Sequence, residues 1–212
     1  MQERVKKVLN ILCERYPILA GQAEAIAKAF ALVCDSFKTG GRLYLCGNGG
    51  SAADCEHIAG ELLKSFKKAR PLPAAYADKL KADGVDGETL CAYLESGLPT
   101  ISLCGHTAFA TAYMNDKNPD FVFAQQVNVW GQAGDVLLAL STSGNSKNCI
   151  YAAKVAKAKD MHVVFLGGGT GGKLREIADV SILAPETETF KVQELHLPIY
   201  HCLCSMLEEE FF

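Results

Sequence analysis

The sequence predicts an α/β fold: a three-layer sandwich on a mostly parallel sheet of about five strands, preceded by N-terminal helices. Three observations carry that expectation. Five short segments are continuously apolar, as strands covered on both faces must be. Helical periodicity fills the intervals between them, and two strands run directly into loops of glycine, serine and asparagine that open helices.

Val5, Val8, Leu9, Leu12 and Cys13 recur at intervals of three and four, which predicts an amphipathic helix ending at the Tyr16–Pro17 break. Ile26, Phe30, Val33, Cys34 and Phe37 repeat the pattern up to Gly40–Gly41, so leading helices occupy about 1–38. RLYLC (42–46) reads as the first strand, GNGGS (47–51) as a loop and Ser51 to Lys68 as a helix. The segment 70–97 is rich in Ala and Leu, carries two Asp-Gly turns, and predicts one or two short inserted helices. PTISLC (99–104) is the second strand and YMNDKNPD (113–120) a polar connection. FVFAQQVNVW (121–130) is assigned as a helix despite its β-branched residues, because parallel strands need a crossover. DVLLALS (135–141) is the third strand, followed by a helix from Ser146 to Lys159 and by MHVVFLG (161–167) as the fourth. A flexible GGTGG turn and a short helix lead to VSILAP (180–185), and the last helix runs from Glu188 to Glu209.

With 212 residues, 49% of them apolar, the chain fits one domain with a substantial core. Basic residues number 21 and acidic residues 24, a formal charge of -3 that gives no global attraction for nucleic acid or anionic lipid. No continuous apolar run reaches the roughly 18 residues of a membrane span, and the charged beginning MQERVKK is unlike a secretion signal. The nine cysteines are odd in number and lie mostly in apolar segments, which suits buried thiols in a reducing compartment. A cytoplasmic protein is the expectation.

Four features carry chemistry. Gly47-Asn48-Gly49-Gly50-Ser51 joins the carboxyl end of a strand to a helix, where unpaired N–H groups favour anions. It is either an anion site or a glycine-rich turn whose Ser51 caps the helix. Ala52 replaces the last glycine of a dinucleotide fingerprint, and no acidic residue closes the next strand, so no nucleotide cofactor is expected. Ser141-Thr142-Ser143-Gly144-Asn145-Ser146 offers four hydroxyls at a second such position without a Walker lysine, which suits a phosphomonoester. His57 and Glu61 lie one helical turn apart and can ligate a divalent metal, exchange a proton, or form a plain surface pair. The last helix carries Gln193, Glu194, His196 and His201 among apolar residues; either histidine is also open to a core role.

The segments LYLCGNGGSAADCEHIAGELLKSF (43–66), LLALSTSGNSKNCIYAAKVAK (137–157) and VQELHLPIYHCLCSMLEEEF (192–211) resemble the sugar isomerase (SIS) domain family in its phosphoheptose isomerase form. The likeness covers nearly the whole chain as one SIS domain, 1–212, of flavodoxin-like or Rossmann-like build. It implies aldose–ketose isomerisation of a phosphosugar, foremost sedoheptulose 7-phosphate to D-glycero-D-manno-heptose 7-phosphate, through an enediol. It further implies Glu61 as base and His201 as acid, with Asn48, Gly49, Ser51, Ser141, Thr142, Ser143, Ser146 and Gln193 on the substrate and its phosphate. Zinc would be held by His57, Glu61, Gln193 and His201. A homotetramer with sites at subunit interfaces is implied as well. Relatives that bind phosphosugars or replication-initiation partners without catalysis lack the glutamate matching Glu61, so this residue separates the alternatives, among them an SIS enzyme for another sugar phosphate. Two departures stand out: segment 70–97 exceeds the family's usual link by about 25 residues, and Gly105-His106-Thr107 replaces its S-D-x-S.

Overall fold

The computed structural model describes residues 1–212. The leading helices are α1 (Glu3–Arg15) and α2 (Ala23–Lys38), joined by a 3-10 helix over Pro17–Gln22. Then follow β1 (Leu43–Cys46), α3 (Gly50–Leu63), α4 (Ala74–Lys81), α5 (Val85–Tyr93), β2 (Thr100–Ser102), α6 (Thr107–Asp116) and, after a 3-10 turn at Pro119–Phe121, α7 (Val122–Trp130). The chain continues through β3 (Val136–Leu140), α8 (Lys147–Ala158), β4 (His162–Gly168), α9 (Leu174–Ile177), β5 (Val180–Ala184) and α10 (Thr189–Phe211). All strand pairs are parallel, in the order β2-β1-β3-β4-β5.

The strands are apolar throughout because both sheet faces are covered. On one face Leu43, Leu45, Val136, Leu138 and Val164 pack against α1, α2, α3 and α10. On the other, Tyr44, Leu137, Val163 and Phe165 pack against α7 and α8. The result is the expected three-layer sandwich. The stretch Pro17–Lys38, 22 residues of mean hydropathy 1.3, is long and apolar enough in composition to cross a membrane, which the search for continuous apolar runs did not register. Here its apolar stripe, Ile26, Phe30, Val33 and Phe37, belongs to the core.

Two expectations need correction. The helix after β1 stops at Leu63, five residues before Lys68. Lys64 is extended, and the chain turns so that the Phe66 and Lys67 N–H groups donate to the Glu208 carboxylate, each at 2.9 Å. The buried Arg70 guanidinium then takes the orphaned Leu62 and Glu61 carbonyls at 2.8 and 3.0 Å, capping α3 from a distance. Second, 113–120 is not simply a polar connection, because α6 extends to Asp116: the Ala-rich AFATAYM run has the propensity to form a helix, and Asn118 restarts the chain by accepting from the Asp120 N–H. Segment 70–97 folds as a helical hairpin in which Gly87 of α5 lies so close to the Leu80 carbonyl that a Cβ would fall 1.8 Å from it. Ser96 ties the hairpin's base shut through Arg70 O and Pro71 O, both at 2.8 Å.

Candidate active site

Because β1 and β3 are neighbours in register, with Cys46 beside Ala139, the loops that follow them open on the same edge of the sheet. Gly47 and Gly49 are required there. A Cβ on Gly47 would meet the Ser51 carbonyl at 2.7 Å, and Gly49 has a φ of +56°. The chain therefore turns sharply enough to start α3 at Gly50 and to bury Ser51. In the second loop Ser141 and Ser146 share a hydrogen bond at 2.9 Å, while Ser143 stays exposed and its Oγ accepts from the Asn145 N–H. Gly144, at φ +67°, passes within 1.8 Å of the Gly171 carbonyl, counted from where its Cβ would be. Gly168 N–H donates to the Thr142 carbonyl at 3.1 Å. The loops are joined directly: Asn48 and Asn148 exchange reciprocal amide hydrogen bonds of 3.0 and 2.8 Å. Two helix N-termini and the hydroxyl cluster thus face one edge, beside a cavity of about 320 Å³ lined by Asn48, Gly49, Cys104, Asp120 and Asn148.

His57 and Glu61 project from α3 toward α10, where His201 meets them. His57 Nε2 lies 3.2 Å from Glu61 Oε1 and 3.5 Å from His201 Nε2. Burial, and then the nearby His57, hold His201 below the ordinary imidazole range, against the opposing pull of Glu61. Gln193, two turns earlier on α10, sits instead over the glycine loop; a Cβ on Gly50 would meet its amide nitrogen at 2.8 Å. His57, Glu61 and His201 are therefore brought together, and Gln193 is placed between them and the anion-favouring edge. No group of three His, Cys, Asp or Glu side chains forms a complete metal cage. The two separations at His57 are nonetheless near the ~3.3 Å edge of a tetrahedron with ~2.05 Å bonds. His196 takes the core role: it is fully buried, bonded through Nε2 to Gly167 O at 3.1 Å, and desolvation lowers its pKa to about 4.

Four contributors escaped the sequence reading. Tyr200 contacts His57 Nδ1 at 3.0 Å and Asp54 Oδ1 at 3.1 Å. Asp54 precedes His57 by three residues on α3, so the helical spacing was a signal; Tyr200 is hidden in an apolar run. Burial raises the Asp54 pKa despite the lowering pull of Tyr200 and His57. The Arg70–Glu208 pair, with atoms 2.8 Å apart, joins the end of α3 to α10 across the fold, and nothing in either local sequence announces it. Desolvation opposes ionisation of Glu208, but the Phe66 and Lys67 N–H groups and Arg70 outweigh it and hold its carboxyl below the usual range.

A five-stranded parallel sheet with two serine- and glycine-bearing loops at adjacent strand ends is the architecture of an SIS domain, and the SIS domain family model matches residues 9–90 and 95–168. A phosphoheptose isomerase of Rhodospirillum rubrum is 35% identical over 209 residues, covering 99% of this chain and 98% of its own. One from Helicobacter hepaticus is 38% identical over 210 residues, covering 99% of this chain and 94% of its own. The solved structure of phosphoheptose isomerase GmhA from Neisseria gonorrhoeae superposes with a TM-score of 0.73 at 32% identity, covering 96% of this chain and 94% of that one. The chain belongs to the SIS domain family, among its phosphoheptose isomerases.

Proposed function

We propose that the protein is an aldose–ketose isomerase acting on sedoheptulose 7-phosphate and yielding D-glycero-D-manno-heptose 7-phosphate. The observation that carries this is the contact of Glu61 and His201, through His57, beside an edge rich in phosphate donors. The substrate phosphate is held by Ser51, Ser141, Thr142, Ser143 and Ser146 with the N–H groups around Asn48 and Gly49, and Gln193 reaches the sugar. Gripping that remote group orients the reacting carbons. Glu61 removes the C1 proton and returns it to C2, while His201 moves a proton between the two oxygens. A low imidazole pKa suits His201 to both accepting and releasing that proton near neutrality.

A Zn²⁺ held by His57, Glu61 and His201, with Gln193 as fourth ligand or supporting neighbour, would stabilise negative charge on the enediolate oxygens. The donor set of imidazoles and a carboxylate suits that ion. The protein works in the cytoplasm, for which nine free thiols are suited. It assembles as a homotetramer with interfacial sites: Ile11, Leu63 and Leu197 are exposed, and apolar surface of that kind favours association. Proton NMR of sedoheptulose 7-phosphate with the purified protein, with and without Zn²⁺, should show growth of aldose anomeric signals. An unchanged ketose spectrum in both samples would contradict the proposal.

A further inference from the structure

The Tyr200 ring is buried in the core beside α3, 1% exposed, and its hydroxyl stands between two acceptors. Asp54 Oδ1 lies 3.1 Å from it and His57 Nδ1 lies 3.0 Å from it. A phenol has a single hydrogen to give, and an ionised carboxylate is the stronger acceptor. The hydrogen therefore goes to Asp54, and the phenol oxygen is left to accept. Its remaining neighbour, His57 Nδ1, must then carry a hydrogen. In the neutral ring this leaves Nε2 bare, and Nε2 is the atom 3.2 Å from Glu61 Oε1 and 3.5 Å from His201 Nε2.

The geometry points to Tyr200, itself oriented by Asp54, as a positioning residue that holds His57 in the Nδ1–H tautomer and presents its unprotonated Nε2 to Glu61 and His201. The opposite tautomer would aim an N–H at Glu61 Oε1 and engage the carboxylate that proton abstraction needs. When the ring is cationic, the same hydrogen bond keeps the Nδ1 hydrogen in place, so the proton released is the one facing the site. A bare Nε2 is also the form in which a histidine accepts a cation, with its other nitrogen tied to a neighbour. The functional consequence, though not the tautomer, rests on the proposed role of Glu61 and His201.

The test is ¹H–¹⁵N correlation NMR of the metal-free protein labelled at histidine, at a pH where His57 is neutral. Its signals are identified by their loss in His57→Gln. The parent should show a pyrrole-type Nδ1 and a pyridine-type Nε2; Tyr200→Phe should shift the ring toward the Nε2–H form. Asp54→Asn, which keeps the phenol but weakens its acceptor, should move it part of the way and serves if Tyr200→Phe does not fold. In the isomerase assay Tyr200→Phe should lower kcat by about 10-fold or more while KM stays within about 2-fold, since the phosphate contacts are untouched. A parent with Nε2–H, or a Tyr200→Phe ring that remains Nδ1–H, overturns the inference. A correct tautomer in a parent without isomerase activity would overturn the proposed function alone.

Discussion

Glu208→Gln probes the joint that fixes Glu61 relative to His201. Glu208 is 1% exposed and Arg70 is 0% exposed, so neither charge is relieved by water. The carboxylate takes three donors: Phe66 N–H and Arg70 Nε on Oε1, and Lys67 N–H on Oε2, each at 2.9 Å. Glutamine is nearly the same shape but offers one acceptor oxygen, so at least one of those donors faces an NH₂ group and the guanidinium loses its counter-charge. Removing one partner of a buried pair costs about 3–5 kcal/mol, a large share of the 5–15 kcal/mol typical of a domain. Urea unfolding followed by circular dichroism at pH 7 should show a loss of that size. The sign with pH follows from the depressed Glu208 pKa: its stabilisation is complete above the unfolded value near 4.5 and is lost as pH falls through the folded value. Parent and variant should therefore converge in stability in acid. A difference under about 1 kcal/mol at pH 7, against the expected 3–5, or one that does not shrink in acid, would refute the reasoning.

Gly144→Ala should raise KM by about 10-fold or more, an energy of 1.4 kcal/mol, because left-handed φ alone costs ~1–2 kcal/mol and the new Cβ must displace the Gly171 carbonyl; an unchanged KM would contradict the role of the loop. Ser143→Ala should mainly raise KM and leave kcat within about 3-fold, as expected of a phosphate contact made equally in ground and transition states; a fall confined to kcat would count against it. His196→Gln keeps a donor for Gly167 O but does not titrate. The parent His196 has a folded pKa of about 4 against 6.5 unfolded, so its stability falls as pH drops from 6.5 toward 4, by roughly 3 kcal/mol at ~1.4 kcal/mol per unit. Unfolding free energies at pH 7 and pH 4 should differ less in the variant by about that amount, and equal differences would place His196 elsewhere than the core.

The parts of the fold legible in the sequence were those specified by local pattern. Continuous apolar strands and 3.6-residue stripes marked every strand and most helices, and the β1 and β3 loops carried their glycines in plain view. Helix ends were harder, because α3 is stopped by Arg70 and Glu208, groups remote in sequence from each other. The helix α6 was missed because Asn115, Asp116 and Asn118 look like a loop while the residues that commit the chain lie before them. In the site, His57, Glu61 and His201 were legible as titratable residues at helical spacing. Tyr200 and Asn148 were not, because their importance comes from partners 146 and 100 residues away. The 80° offset between Gln193 and His201 on an ideal helix has a structural outcome: one residue serves the glycine loop and the other meets His57.

The central claim is that Glu61 carries the proton between C1 and C2 of a phosphorylated ketose. Its most direct test is isomerisation of sedoheptulose 7-phosphate in D₂O, with deuterium at C2 of the aldose measured by NMR for the parent and for Glu61→Gln. The parent should deliver product labelled at C2 through exchange at the enediol, and Glu61→Gln should lower both turnover and labelling by about 10²–10⁴-fold while still binding the substrate. Full turnover and labelling by Glu61→Gln would contradict it and transfer the role of base to another group.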